Sequence, residues 1–130
     1  EQTQNRNRLN EISHPVIRTE IEHSIRQAPQ DADAIILDAA LLLEADWADV
    51  CDAVVFVDTP LEKRQQRVAT SRGWSAEELQ RREASQWSLL KKRAAAEFVV
   101  DNADSPEAAA KQMTQIIEKI GHRTRKEVNP

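Results

Sequence analysis

The chain has 130 residues, of which 40% are apolar and 31% charged, with a formal net charge of -4. That length suits one water-soluble, helix-rich domain, and the acidic balance argues against a general nucleic-acid binder. No apolar run is long enough to cross a bilayer and no signal-peptide pattern opens the chain, while a single cysteine, Cys51, excludes an internal disulfide and fits a reducing, cytoplasmic setting.

Residues 1–7 are polar and patternless and read as a start in mid-structure or in disorder. Leu9 and Ile12 begin an apolar stripe that Pro15 interrupts. Val16, Ile17, Ile21 and Ile25 continue it at helical spacing, which predicts a helix starting near His14-Pro15 with proline in its first turn. A loop over 29–33 leads to a short buried strand, Ala34 to Leu37, closed by Asp38. Residues 44–49 read as a short helix or turn after the apolar run 39–43.

The second predicted strand is Ala53 to Val57, ending at Asp58. Neither strand alternates, as expected where a parallel sheet is covered on both faces. Thr59-Pro60-Leu61-Glu62 and Ser75-Ala-Glu-Glu78 read as capping boxes opening two helices, separated by a break at Arg72-Gly73. Phe98 to Val100 is the third predicted strand. A last helix opens at Ser105-Pro106-Glu107, with Ala109, Met113, Ile116, Ile117 and Ile120 on one apolar face. Gly121 is the expected stop, and 122–130 a tail. Strand and helix alternate after Pro29, so the fold class is α/β with a parallel sheet. Three strands are few for such a sheet, and partners are expected to be missing from it.

Charge is unevenly placed. Between Leu61 and Arg93 stand Lys63, Arg64, Arg67, Arg72, Arg81, Arg82, Lys91, Lys92 and Arg93, against the acids Glu62, Glu77, Glu78 and Glu83. A basic segment in an acidic protein can hold a local anion such as a phosphate. It runs into Phe98–Val100 and then Asp101-Asn102, at the carboxyl end of a strand, where open α/β sheets bind ligands. The chain has only two glycines, Gly73 and Gly121, so no phosphate loop of the form G-x-x-x-x-G-K-S/T can be written in it. His14, His23, His122 and Cys51 show no zinc spacing.

Several stretches together resemble the dephospho-CoA kinase family, P-loop kinases related in fold to the adenylate kinases. Leu9-Asn-Glu-Ile-Ser-His-Pro15 is similar to the family's L-x-x-I-x-H-P. Ile36 to Glu44 is similar to a strand followed by D-x-P-L-L-F-E, and Ala53 to Asp58 to the next strand. Arg82 to Gln86 follows R-x-x-x-Q, Lys92-Arg93 comes next, and Glu97-Phe-Val-Val-Asp-Asn102 resembles A-D-Y-V-I-D-N. The chain departs from the pattern at Ala40 for proline, Leu43 for an aromatic, Arg64 for glutamine, and Ser71-Arg72, which shifts an arginine by one place.

The resemblance implies a three-layer α/β/α P-loop fold with a helical lid, incomplete because the first strand and phosphate loop are absent. It divides the chain into an acceptor-side helical segment at 1–30, a kinase core at 31–121 with its lid at about 61–93, and the tail. It implies transfer of the ATP γ-phosphoryl group to the ribose 3′-hydroxyl of dephospho-CoA, with Mg²⁺ accompanying ATP. Arg82 and Arg72 would act in the lid on the transferred group, and Arg82, Lys92 and Asn102 would meet the nucleotide. His14, Asp38 and Glu44 would lie on the acceptor side.

Each residue also has a plainer reading. Arg82, Arg72 and Lys92 can be solvated helix cations, and Asp38 and Glu44 loop acids or a helix cap. His14 can be structural, and Asn102 can serve a turn. Trp74 and Trp87 could stack on a base or cation or simply pack the lid. The partners expected are ATP and dephospho-CoA, with no nucleic acid or membrane, and self-association through the incomplete sheet. The chain alone is expected to be inactive. Two other readings stand beside this one: a non-catalytic CoA- or nucleotide-binding module, and another small-molecule P-loop kinase.

Overall fold

The computed structural model describes the backbone of residues 2–128 and the side chains of 8–123. The chain divides into two compact units, Glu1–Val50 and Cys51–Pro130.

In the first unit, α1 spans Gln2–Gln27 and carries Pro15 inside it. The helix therefore begins well before the expected start at Pro15. A proline inside a helix removes one backbone donor at a cost of about 3 kcal/mol. The Arg8–Glu11 run before it contains leucine, arginine and glutamate, all good helix formers, and the ladder on both sides absorbs the defect. The Pro15 carbonyl accepts the Thr19 hydroxyl at 3.0 Å. Leu9, Ile12 and Val16 remain exposed along one side of α1.

The strand expected at 34–37 does not form. Residues 34–39 have no ladder partner among the described residues, and Ile35 and Ile36 are exposed. Apolar content alone does not make a strand, because an extended segment needs a neighbour for its backbone groups. Turns follow, with Trp47 N–H donating to the Leu42 carbonyl at 3.0 Å. Asp46 sits at φ 54°, a left-handed conformation that a short polar side chain tolerates. A 3₁₀ turn, Trp47–Val50, closes the unit and buries Trp47.

The second unit runs β1 (Val55–Asp58), α2 (Leu61–Arg72), α3 (Ala76–Ala84), α4 (Leu89–Ala95), β2 (Phe98–Asp101) and α5 (Pro106–Val128). The two strands are parallel, pairing Val55 with Phe98 through to Asp58 with Asp101. The sheet thus has two strands among the described residues rather than three. α5 packs on β2 and α2 on α3. Val100, Leu79 and Ile116 are buried, and the predicted apolar face of α5 is buried or half-buried along its length.

Serine caps organise three of the helices. Ser75 Oγ accepts the Glu78 N–H, Ser88 Oγ the Lys91 N–H and Ser105 Oγ the Ala108 N–H, each at 3.2 Å. The expected capping box at Thr59 is absent. Pro60 precedes α2 without a side-chain cap, and the Thr59 hydroxyl instead accepts the Asn102 amide at 3.2 Å. α2 stops at Gly73, φ 66°, whose N–H reaches the Ala69 carbonyl while Trp74 N–H reaches that of Val68. This is a Schellman closure, which needs the left-handed conformation that glycine adopts freely.

Gly121 does not stop α5, and residues 122–128, expected as a tail, continue the helix. Residues 129 and 130 of that tail lie outside the described residues. A glycine ends a helix only where the chain turns left-handed, and φ is positive at Gly73 alone of the two glycines. The extra turn brings Arg123 to Glu97 at 2.7 Å and to the Asp52 carbonyl at 2.8 Å, just ahead of β2 and β1.

Candidate active site

The carboxyl ends of β1 and β2 finish level, at Asp58 and Asp101. Asn102 N–H extends the ladder to the Asp58 carbonyl at 2.8 Å, and its side-chain amide donates to Thr59. Asp101 is held from three directions. Its carboxylate accepts Ala103 N–H at 2.8 Å, while Gln112 on α5 accepts its N–H and donates to its carbonyl, each at 3.0 Å. Gln112 thereby satisfies the outward backbone groups of β2 at Asp101, as a neighbouring strand would. Arg93 on α4 forms an ion pair with Asp58.

Arginines tie the helices to this edge. Arg64 donates to the Thr59 carbonyl at 2.5 Å and grips Glu83 on α3 with two bonds, 2.8 and 3.3 Å. Arg67 donates to the Asp104 carbonyl at 3.1 Å, beyond β2. Two-point guanidinium contacts fix direction as well as distance.

Arg72 and Arg82 come together on one indole. Their guanidinium carbons lie 4.8 and 4.1 Å from the centre of the Trp74 ring. Glu78 accepts Arg82 Nε at 2.6 Å and Arg81 Nη2 at 2.5 Å, and these bonds, Arg82 first, hold its carboxyl below the usual range. Lys92 donates to Gln86 Oε1 at 2.8 Å, and Lys91 Nζ lies 3.2 Å from the Trp87 ring centre.

The remaining candidates lie in the first unit. His14 meets the buried Trp47 edge-on, with ring centres 5.3 Å apart. Asp38 is exposed within the unpaired segment 34–39, and Glu44 is half-buried among the turns. Arg18 makes a two-point pair with Asp49, at 2.7 and 3.0 Å, and also holds Glu22 at 2.6 Å. Among the described residues no three of His, Cys, Asp and Glu are grouped to hold a metal, and no helix is long and apolar enough to cross a membrane.

Of the predicted residues, the structure therefore brings Arg72 and Arg82 together and places Asn102 at the strand ends. It places His14, Asp38 and Glu44 in the other unit. Sequence reasoning read Thr59 only as a helix cap and gave no individual role to Arg93 or Gln112. An acid at a strand end ahead of a Lys-Lys-Arg run was the available signal for the Arg93 pair. Nothing local marks Gln112, whose part depends on how α5 packs.

A parallel two-stranded sheet joined through helices makes this an α/β protein. The crystal structure of TT1252 from Thermus thermophilus is similar over 90% of this chain and 60% of its own, with a TM-score of 0.74 and 26% identity. A family profile for dephospho-CoA kinase matches residues 1–107. Among curated relatives, the dephospho-CoA kinase of Latilactobacillus sakei is 36% identical over 89% of this chain and 58% of its own length. That of Rhodopirellula baltica is 39% identical over 76% of this chain and 46% of its own. The chain belongs to the dephospho-CoA kinase family, and it spans about half of the length of these relatives.

Proposed function

We propose that this chain forms part of an ATP-dependent kinase that phosphorylates the ribose 3′-hydroxyl of dephospho-CoA. The observation that carries this reading is the pairing of Arg72 and Arg82 on Trp74 in a chain of this family. In phosphoryl transfer the protein contributes mainly position and charge neutralisation. Two gathered guanidinium groups suit the transferred group, with Arg82 also meeting the nucleotide. Lys92 and Asn102 serve the nucleotide, and His14, Asp38 and Glu44 the acceptor. Residues 1–30 would be the acceptor-side segment, and 61–93 the lid within a core of 31–121. A cytoplasmic location goes with these substrates.

Mg²⁺ bound with ATP needs only one or two protein carboxylates beside the phosphates. Asp38, an exposed acid of the first unit, is the residue that would meet such an ion, directly or through water, and the ion would supply charge neutralisation of the phosphates. The chain's own part is to bind and orient them.

The isolated chain would be inactive or nearly so. Its sequence contains no phosphate-loop motif, and loss of a preorganised electrostatic clamp costs orders of magnitude in rate. We also infer self-association through β1, whose second edge carries no strand among the described residues and whose Val57 is 49% exposed.

The test is CoA formation by mass spectrometry, with MgATP and dephospho-CoA. It compares this chain with a chimera in which the front segment of a family member precedes Glu1. Product from the chimera alone supports the reading. Product from the chain alone overturns its inactivity. Failure of both, with dephospho-CoA still bound, would favour a binding module. An acceptor panel on an active chimera would reveal a different small-molecule kinase.

A further inference from the structure

Trp74 stands at the junction of α2 and α3, immediately after the left-handed Gly73. The Schellman closure fixes its backbone, since its N–H is committed to the Val68 carbonyl at 3.3 Å. Arg72 reaches its ring from the end of α2 and Arg82 from the last turn of α3. Two cationic groups thus lie within 5 Å of one ring centre. The electron-rich face of an indole attracts each of them, and guanidinium is the cation most suited to it.

Glu78 completes the arrangement. It takes Nε of Arg82 at 2.6 Å. No hydrogen bond among the described residues engages the two terminal nitrogens of Arg82 or any guanidinium nitrogen of Arg72, and both residues are exposed. Those donors point to an anion with several oxygens, because one terminal fork can take two of them.

From this we infer that Trp74 is a positioning residue. It assembles Arg72 and Arg82 into a pair ready to grip the polyphosphate chain of a nucleotide before that ligand arrives. The inference rests on the reading of these two arginines as phosphate ligands. It goes beyond that reading in assigning their geometry to an indole that touches no phosphate. Preorganisation lowers the ordering cost of two long side chains on binding.

The test uses the whole chain and inorganic tripolyphosphate, titrated calorimetrically at low salt. The variants are Trp74→Ala, Trp74→Phe and Arg82→Ala, with thermal melts of each. Arginine side-chain NMR reads the clamp without ligand, because stacking on an indole displaces the Arg72 and Arg82 signals upfield. Trp74→Ala should abolish that displacement and weaken tripolyphosphate about three- to tenfold. Trp74→Phe should restore most of the affinity, and Arg82→Ala should lose more than either.

Wild-type affinity in Trp74→Ala would overturn the inference while leaving the arginines as phosphate ligands. A loss in both Trp74 variants that tracks their melting temperatures would also overturn it, in favour of plain packing. If the wild-type chain shows the displaced signals yet binds no tripolyphosphate, the phosphate reading of Arg72 and Arg82 falls, and this inference falls with it.

Discussion

Arg18 on α1 and Asp49 in the 3₁₀ turn meet through two nearly parallel bonds of 2.7 and 3.0 Å, across 31 positions of sequence. The contact joins the long helix of the first unit to its closing turn. The Arg18 hydrogen bond holds the Asp49 carboxyl below its ordinary 3.8, and Asp49 in turn raises Arg18. The folded state therefore binds the Asp49 proton less readily than the unfolded state. The pair's contribution is fully present above about pH 3.8 and drains away as pH falls through the depressed folded value. Asp49 is exposed, so the effect is small and screened by salt. Asp49→Asn should melt below wild type at neutral pH, and the gap should close in acid. A gap that stays constant from pH 7 to pH 2 would show that the pair does not titrate in this way.

The cap of α3 gives a second expectation. Ser75 Oγ receives the Glu78 N–H and also bonds to the Glu77 carboxylate, holding that acid below its usual range. Only half of the expected capping box forms, because the Glu78 side chain turns away to Arg82 and Arg81. Ser75→Ala should cost about 1 kcal/mol in chemical denaturation. It should also loosen the first turn of α3, read as faster amide exchange at Glu78. Unchanged exchange there would mean that the cap is not what orders this turn.

These elements show what a sequence can reveal of such a fold. Strand β1, strand β2, the breaks around α2 and α3 and the apolar face of α5 were legible. Each is written locally, as an apolar run, apolar residues at helical spacing, a glycine, or a serine followed by acids. The pairing of Arg72 with Arg82 was half legible: the basic segment stood out, but nothing local said that Trp74 would gather two of its members. The failures share a cause. Pro15, Ile35-Ile36 and Gly121 carry strong local signals, and each was decided by context: the ladder around the proline, the missing neighbour of the extended segment, and the contacts of Arg123 beyond the glycine. Thr59 was read as a cap because its spacing fits one. Asn102, 43 positions away, takes its hydroxyl instead.

Val100 concentrates the core of the second unit. It is 1% exposed, on β2, with α5 packed against that strand. Val100→Ala should destabilise by about 2 kcal/mol through lost burial and a residual void. With so small a sheet that is a large share of the total stability. The measurement is urea unfolding followed by circular dichroism. A loss below about 0.5 kcal/mol would mean that the strand is not the centre of the packing.

Gly121 separates two accounts of α5 with one substitution. If the helix ended there, the glycine would hold a left-handed conformation, and alanine would be strained at that position. The structure instead carries the helix on to Val128, and a methyl group added at Gly121 would meet nothing within 4 Å among the described residues. Alanine then keeps every contact and removes only the entropy that glycine loses on becoming helical. Gly121→Ala should therefore stabilise by about 0.5–1 kcal/mol, which raises the melting temperature by about 2–6 °C in a domain of this size. The gain should require the helical turn beyond it, so Arg123→Ala, which releases the Glu97 and Asp52 contacts, should shrink it. A lowered melting temperature for Gly121→Ala would place the end of α5 at the glycine, and with it would go the attachment of Arg123 to the starts of both strands.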